Sequence, residues 1–509
     1  MKQPCNRRDF LKKSRTGLTA AAASSLLADV SFSGPTMEKT HPLLQDRFGV
    51  SVEDMRKILN AALSKGGDFS ELFFEYRVAN SVRVEEDIVK ESSESVSLGL
   101  GIRVLKGEQT GYAYTSDLSY NKMKETALVA AAIASSGGKT SALPLSAVSS
   151  LPQRYDMARP FSETALGTKI DLVKQAYASA RQFDARIIQT QSLLTDEIQH
   201  VTIANSEGLI VSDTRPQVRL SVWATAEENG SRNTGFFSGG GRVGLAYFDN
   251  ERTPAAIGEK AAEEAVTLLS AVDPPAGEQP VVLGSNQSGV MIHEAVGHPL
   301  EADGNRKKTS IMWDKLGKNV ASPLVTIYDD PTLPHARGSL NVDDEGEIPK
   351  NTVLIENGTL VGYLQDRLSA RLMHLEPNGH GRRESYQSNP IPRMANTCLA
   401  RGESNPDDII RSVKKGFYAV SYQGGQVQDT GKFTFSVNMG YLIEDGRLTR
   451  PVKNATLIGT NVQILNEIEM VGNDMGFFLG TCGKDGQSAP VSAGTPTLKI
   501  RQMTVGGRQ

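Results

Sequence analysis

Residues 291–303 read MIHEAVGHPLEAD, which places two histidines and a glutamate within six positions. The stretch resembles H-E-x-x-H, the pattern in which one helix presents two imidazoles to zinc and the glutamate acts as general base. Here, however, His293 and His298 are five residues apart instead of four. At roughly 100° per residue, five residues overshoot a full turn by about 140°, so a regular helix cannot direct both rings to one ion.

A single wide turn with i→i+5 hydrogen bonding would bring the two rings back together, and such turns are frequent at functional sites. Gly297 precedes the second histidine and permits a distorted backbone. Pro299 follows it and disfavours a regular α conformation at His298. The segment therefore predicts an irregular turn that supports a metal site. The alternative is that two histidines lie beside a glutamate by chance, and the spacing alone does not decide between the two.

A catalytic zinc site needs a third protein ligand and one open position. Cys482 is the strongest candidate, because the glycines of GTCGKDG let the backbone turn sharply around it. The alternative for Cys482 is a small buried hydrophobic residue, which is what most free cysteines are. The other candidates are His335, His374, His380 and the acidic run DDEGE at 343–347, a run that is more typical of a solvent-exposed turn than of a ligand set.

The first 33 residues predict an export signal. Arg7 and Arg8 precede Phe10, and a mildly apolar stretch follows at 17–28. This order resembles the twin-arginine signal, so we expect export to the periplasm; a basic tail outside the fold is the alternative. Removal of residues 1–33 takes away six basic and two acidic residues, leaving 49 basic and 56 acidic residues and a net charge of −7.

That acidic balance offers no general attraction to phosphates, so we expect no nucleic acid partner. No apolar run is long enough to span a membrane. At 509 residues the chain exceeds what one core usually contains. The linker VDPPAGEQP at 272–280 predicts a domain boundary near 275, which separates an N-terminal domain at 34–275 from a C-terminal domain at 276–509.

The expected fold class is α+β with antiparallel sheets. Helices are predicted at 52–65, where Ser51 and Asp54 form a capping box, and at 162–183 and 254–271. Strands are predicted at 71–86 and 95–107, and a strand meander at 186–247 that ends in the loop FFSGGGR at 236–242. The second half opens with the strand VVLG, continues with the helix that carries His293, and is then mostly strands with tight turns.

Several longer motifs carry a resemblance to a known family. They are HEAVGHPLEAD, SLNVDDEGEIP, GRRESYQSNPIPRMANT and GTCGKDGQSAPVSAGTPTLKI, with ELFFEYRVANS and TGYAY near the start. Together they resemble the TldD/PmbA family of metallopeptidases, and specifically its TldD-like catalytic branch. The likeness covers essentially the whole mature chain and is densest after residue 280. It implies that His293, His298 and Cys482 are the zinc ligands and that Glu294 is the catalytic glutamate.

The resemblance further implies a two-domain subunit, with a mixed α/β N-terminal domain and a β-rich C-terminal domain that bears the zinc helix. It implies a dimer around an enclosed chamber, formed with itself or with a related subunit, and substrates that are unfolded or short peptides. Two features depart from the family. Cys398 stands where members often carry an aromatic residue. The predicted export signal is the second departure, because well-studied relatives are cytoplasmic, and their intracellular peptide substrates do not carry over to this chain.

The expected function is a zinc-dependent peptidase in which Glu294 activates a zinc-bound water. A non-catalytic peptide-binding partner subunit is the alternative, although that branch of the family lacks the motif that is intact here. A nucleic-acid-associated regulator, an older label of the family, is disfavoured by the acidic chain. Arg382 and Arg383 could position a peptide carboxylate or carbonyl, or form a surface salt bridge. FFSGGGR could be a mobile lid, but a turn is favoured.

Overall fold

A computed structural model describes residues 47–135, 141–148, 150–155, 157–250, 252–285, 287–428 and 430–507. The predicted export signal at 1–33 lies outside these residues. Within the described ranges, no helix has the length and apolar character needed to cross a membrane. The fold is a β-rich mixture of helices and strands, as the sequence predicted in outline.

The helices are α1 Val52–Leu63, α2 Tyr120–Ile133, α3 Leu166–Gln182, α4 Pro254–Leu269, α5 Gly289–Ile292, α6 Ala302–Arg306, α7 Arg367–Met373, α8 Pro406–Arg411 and α9 Asn461–Asn466. The strands of the first half are β1 Phe69–Glu85, β2 Ile88–Lys106, β3 Gln109–Thr115, β4 Ser146–Ala147, β5 Ile187–Asn205, β6 Leu209–Glu228 and β7 Ser231–Gly241. Those of the second half are β8 Gly277–Leu283, β9 Ile327–Asp329, β10 Thr352–Glu356, β11 Thr359–Leu360, β12 Gly381–Arg382, β13 Ile391–Pro392, β14 Asn396–Leu399, β15 Lys415–Val427, β16 Lys432–Glu444, β17 Arg447–Thr460, β18 Ile468–Val471, β19 Gly476–Lys484, β20 Gln487–Thr495 and β21 Leu498–Gly506.

The first half is built on one sheet with the strand order β3-β2-β1-β5-β6, in which β4 and β7 also pair with β6. Successive side chains of β1 point to opposite faces of the sheet, and both faces are buried. Leu72 and Phe74 pack with α1 and α2, whereas Phe73 lies in a separate cluster with Val342 and Tyr386 of the second half. The helices therefore cover one face, and the second half covers part of the other.

Helix α1 begins where the sequence predicted. The Asp54 amide donates to Ser51 Oγ at 3.1 Å, and Ser51 Oγ donates to the Asp54 carboxylate at 2.8 Å. The first bond satisfies an amide that would otherwise lack a partner in the first turn, so Ser51 is confirmed as the N-cap. The Asp54 carboxylate accepts from the Ser51 hydroxyl and not from its backbone amide, so the predicted capping box forms only in part. Helices α3 and α4 also confirm their predicted segments, and α2 is a helix that the sequence reading missed.

The predicted loop FFSGGGR is wrong, because residues 231–241 form strand β7. Its residues pair in continuous antiparallel register with β6, from Ser231 opposite Glu228 to Gly241 opposite Val218. Glycine disfavours strands by itself, which is why the run indicated a loop. The glycines permit a close approach instead: Gly240 has a φ of +149°, and a Cβ there would overlap the Val218 carbonyl.

The second half contains two six-stranded sheets. One has the order β17-β16-β15-β8-β21-β18, and an additional pairing of β17 with β21 closes five of its strands into a ring. The other has the order β11-β10-β9-β14-β20-β19, in which β19 is an edge strand. A single apolar core includes α5 and side chains of both sheets, among them Val281, Val290 and Val491.

The predicted boundary near 275 stays a prediction. Strand β8 begins at Gly277, immediately after it, and the sheets of the two halves are separate. Buried ion pairs nevertheless join the halves: the Arg103 guanidinium lies 2.8 Å from Glu71 of its own half and 2.6 Å from Glu345 of the other.

Candidate metal centre

The two histidines of the opening motif lie on a π-helical turn. Helix α5 ends at Ile292, and His293–Gly297 continue it with wider geometry. The His298 amide donates to the His293 carbonyl, which is an i→i+5 hydrogen bond. The predicted wide turn is therefore confirmed.

The predicted reasons for that turn need correction. Gly297 has φ −58° and ψ −58°, and His298 has φ −58° and ψ −46°, so both residues keep right-handed helical backbone. Gly297 is required for packing, because a Cβ at this position would overlap the Met394 side chain. Pro299 lies in the following 3₁₀ turn and has no amide hydrogen to donate to the helix.

The wide turn brings the two imidazoles together. Their ring centroids are 5.2 Å apart and their planes are inclined by 79°. Cys482 on β19 completes the group, with its Sγ 3.4 Å from His298 Nε2. One ligand atom from each of the three side chains lies within 4.8 Å of the other two, and no other such trio of His, Cys, Asp or Glu occurs in the part of the chain that the structure describes.

This donor set fits a metal ion, and in particular zinc. Two imidazoles and one thiolate are ligands that zinc accepts in a site with an open position. His293 Nδ1 is buried without a hydrogen-bond partner. Burial would raise the pKa of Cys482, but His293 and His298 overcome that effect and lower it to about 5. The thiol is thus prepared as a thiolate before any metal binds.

A carboxylate that the sequence reading missed orients His298. Glu301 Oε2 lies 3.0 Å from His298 Nδ1, which leaves Nε2 directed at Cys482. Hydrogen bonds of this kind fix the ring orientation of a metal-binding histidine. Burial would raise the pKa of Glu301, but Lys484, 3.2 Å away, and His298 lower it to about 2. Burial would lower the pKa of His298, but Glu301 and Cys482 raise it well above its usual value.

The sequence did contain a signal for Glu301. It follows His298 by three residues, the spacing at which helical side chains meet, and it is part of the quoted motif. Arg393 carried no such signal. Its Nη2 donates to the Cys482 carbonyl at 2.6 Å, which anchors β19 beside the histidines across a separation of 89 residues.

Glu294 lies beside the three potential ligands and faces a cavity. Its Oε2 is 3.9 Å from His298 Nε2. The cavity has a volume of about 630 Å³ and is also lined by His298, Thr481, Gly483 and residues 425–428. Burial raises the pKa of Glu294, and His293 and His298 only partly oppose this. Glu294 is thus a carboxylate of increased basicity at the wall of a space that a ligand could enter.

The alternative third ligands lie elsewhere. His380 is buried, with Nε2 3.2 Å from Asp329 and Nδ1 2.9 Å from Asn378. His335 and His374 have a left-handed backbone conformation, with φ of +66° and +56°. Neither belongs to the cluster with Cys482.

The acidic run DDEGE is buried, so the predicted solvent-exposed turn is wrong. Asp344 accepts from Arg215 Nη1 at 2.5 Å, and Glu345 pairs with Arg103. An acidic run indicates the surface, because charged side chains are rarely buried without a partner. The arginine partners of Asp344 and Glu345, Arg215 and Arg103, come from the first half of the chain, more than 120 residues away, and no local pattern predicts them.

Arg382 and Arg383 are also buried, which excludes the predicted surface salt bridge. Arg383 forms a buried ion pair with Glu71. Arg382 forms no ion pair with the residues that the structure describes and donates to two carbonyls, that of Met394 at 2.6 Å and that of Pro490 at 2.9 Å. Cys398 is a free, buried thiol, and burial raises its pKa.

Comparison with known proteins identifies the family of the chain. Models of PmbA/TldA metallopeptidase domain 1, central domain and C-terminal domain match residues 70–134, 159–269 and 276–507. The metalloprotease TldD homolog of Haemophilus influenzae is 41% identical over 467 residues, which cover 90% of this chain and 97% of that protein. The zinc metalloprotease TldD homolog of Saccharolobus solfataricus is 27% identical over 89% of this chain and 100% of that protein.

A solved structure shares the fold. TldE from Thermococcus kodakarensis matches with a TM-score of 0.72 at 20% identity, over 89% of this chain and 100% of that one. A β-rich fold with two imidazoles and a thiol beside a glutamate is the arrangement of a metal-dependent hydrolase. The chain belongs to the TldD/PmbA family of metallopeptidases. The family and the enzyme class predicted from the sequence are confirmed.

Proposed function

We propose that this chain is a zinc-dependent peptidase that hydrolyses unfolded or short peptides. The observation that carries the proposal is the convergence of His293, His298 and Cys482, whose ligand atoms lie within 4.8 Å of one another, beside the carboxylate of Glu294. In this proposal the first three hold the zinc ion and Glu294 is the catalytic base.

Bound zinc would supply Lewis acidity at the scissile carbonyl and acidify water in the site. Glu294 takes a proton from the attacking water and delivers it to the leaving amine. Its increased basicity, which follows from burial, suits that task. Glu301 does not contact the substrate, and its hydrogen bond keeps His298 Nε2 directed at the site.

The preference for unfolded substrates rests on strand β19. It carries Cys482, and it lies at the edge of its sheet. An edge strand can add an extended peptide through main-chain hydrogen bonds, which gives affinity with loose side-chain specificity. A compact protein does not offer a free extended segment, so it is excluded, whereas its unfolded form is accepted.

Assembly and location belong to the same proposal. We expect a dimer, formed with itself or with a related subunit, and similarity to the fold of TldE supports a partner of that kind. We also expect export by the twin-arginine route, on the strength of Arg7 and Arg8. Size measurement in solution and cell fractionation test these two expectations.

The decisive experiment is to incubate the purified chain with a random peptide library, with and without a chelator, and to follow cleavage by mass spectrometry. We expect near-stoichiometric zinc, cleavage that stops on chelation and returns with zinc, and no cleavage of a compact native domain that is cut once unfolded. Zinc-loaded protein that binds peptides without cutting them would establish the partner-subunit alternative instead.

A further inference from the structure

A second cavity, of about 430 Å³, lies between the first-half sheet and strands β19 and β20. Its wall is unusually rich in charge. The charged residues that line it are the arginines Arg77, Arg215, Arg242, Arg337, Arg382 and Arg383 and the acids Asp196, Glu197, Asp344 and Glu384. Six cations face four anions, so the wall has an excess of positive charge.

Half of these arginines have a counterion. Arg77 pairs with Glu197, Arg215 with Asp344, and Arg383 with Glu71. Pairs of this kind are expected of buried arginines, because a buried charge is costly unless it is neutralised.

The other three, Arg242, Arg337 and Arg382, have no ion pair with any carboxylate of the described residues. Arg242 Nη1 donates to the Pro216 carbonyl at 3.3 Å, and its Nε is buried without a partner. Arg337 Nε donates to the Gly480 carbonyl at 3.0 Å. Arg382 likewise donates to carbonyls alone. A carbonyl group accepts a hydrogen bond from a guanidinium group but does not neutralise its positive charge.

The positive charges of these guanidinium groups repel one another, and this repulsion disfavours their protonated forms. Burial lowers the pKa of Arg382 to about 10, with Asp344 opposing and Arg242 reinforcing the effect. Burial lowers the pKa of Arg337 to about 9; Arg219, Arg242 and Arg382 reinforce this effect, and Glu197 opposes it. A single anion in the cavity would relieve all three at once.

The position of this cavity connects it to the metal centre. Thr481 lines both cavities, and the next residue in the chain is Cys482. A peptide lying along β19 would therefore pass from one cavity to the other.

We propose that Arg242, Arg337 and Arg382 bind a carboxylate of the peptide substrate whose scissile bond lies at the metal centre. This inference rests on the proposed peptidase function. Guanidinium groups suit the task, because their planar donors match a carboxylate in bidentate fashion. The carboxylate is either the C-terminal group of a short peptide or an acidic side chain.

The test measures binding, so that it does not depend on turnover. Zinc-loaded full-length Glu294→Gln protein is titrated with N-terminally fluorescent random decapeptides in three forms: free C-terminus without Asp or Glu, the same with a C-terminal amide, and an amide form enriched in Asp. We expect the free C-terminus or the Asp-rich form to bind about tenfold more tightly than the plain amide, the effect of a charge-assisted hydrogen-bond set. If the peptide with the free C-terminus binds more tightly than the plain amide, the cavity binds the C-terminal carboxylate. If the Asp-rich amide binds more tightly, the cavity binds an acidic side chain.

Substitution then assigns the effect to the cavity. Arg337→Gln and Arg382→Gln, each in the Glu294→Gln background, should reduce the discrimination to within about twofold while zinc content stays unchanged. Arg232→Gln is the matched control, because Arg232 is exposed on β7, pairs with Glu227 and does not line the cavity; it should keep the full discrimination.

Equal affinity for all three forms, or discrimination that survives both cavity substitutions, would overturn the inference. Peptide cleavage without any carboxylate preference removes this inference and leaves the proposed function intact. If the unsubstituted chain shows the carboxylate preference but cleaves no peptide, the proposed function is wrong and the carboxylate site remains.

Discussion

At the scale of single residues, the two carboxylates of the candidate metal centre, Glu294 and Glu301, have different proposed roles. Glu294 faces the cavity, so we expect Glu294→Gln to keep near-stoichiometric zinc and to lose roughly 10²–10⁴-fold in peptidase rate, the loss typical of a missing general base. Glu301 orients a ligand instead, so Glu301→Gln should weaken zinc binding by about 10–100-fold. Zinc titration and steady-state rates of both variants check this. Full activity of Glu294→Gln would remove that residue from the mechanism.

The two described cysteines should behave differently. Cys482→Ser should lose most bound zinc and activity, because its thiolate is one of only three proposed ligands. Cys398→Ser should lose neither, because that thiol is buried away from the centre with a raised pKa. Metal analysis compares the two variants. Non-reducing mass spectrometry of exported protein should find no 398–482 disulfide, and a disulfide in active enzyme would assign the third ligand elsewhere.

Zinc binding should also depend on pH in a defined direction. In the metal-free chain the Cys482 pKa is lowered to about 5, whereas the His298 pKa is raised well above its usual value. At pH 7 the thiol is therefore already ionised, and His298 must lose a proton before it can bind metal. We expect at least one proton released per zinc at pH 7, and an affinity that falls at least tenfold per unit as pH decreases towards 5. Calorimetry in buffers of different ionisation enthalpy measures both; zinc binding at pH 7 without proton release would contradict the assignment.

At the scale of elements, local sequence was sufficient where the interaction is local. The one-residue excess between His293 and His298 predicted the wide turn, and Ser51 predicted the start of α1. It was insufficient where the partner is distant. The glycine run of β7 indicated a loop, but pairing with β6 makes it a strand. The acids at 343–347 indicated a solvent-exposed turn, but arginines from distant segments allow most of them to be buried.

The packing of the wide turn gives a prediction of its own. Gly297→Ala should destabilise the protein by about 1–3 kcal/mol through overpacking and weaken zinc binding, because its Cβ would meet Met394. Met394→Ala should also destabilise, by leaving a cavity. The double variant should be less destabilised than the sum of the two, since the new methyl group then has space. Urea unfolding of the three variants measures the coupling, and strict additivity would argue against the contact.

At the scale of the whole molecule, the buried ion pairs hold the two halves together. Burial would raise the pKa of Glu71, but Arg103 and Arg383 lower it below its usual value. Glu71→Gln leaves both guanidinium groups buried without that charge, and we expect a loss of about 3–5 kcal/mol in unfolding free energy. The exposed Glu53→Gln is the control, with no measurable change expected. Because the Glu71 pKa is depressed, its contribution is present at neutral pH and is lost as pH falls through the acidic range.

The position of Cys482 on β19, far along the chain from the two histidines, has a consequence for how the metal centre is assembled during synthesis. Cys482 follows His293 by 189 positions, counted from 293 to 482. At ordinary rates of synthesis, the histidines and Glu294 leave the ribosome roughly ten to forty seconds before the thiol that completes the set. During that interval a growing chain lacks one of the three proposed metal ligands. We therefore expect hydrolytic activity to begin only after Cys482 has been synthesised and β19 has paired with β20.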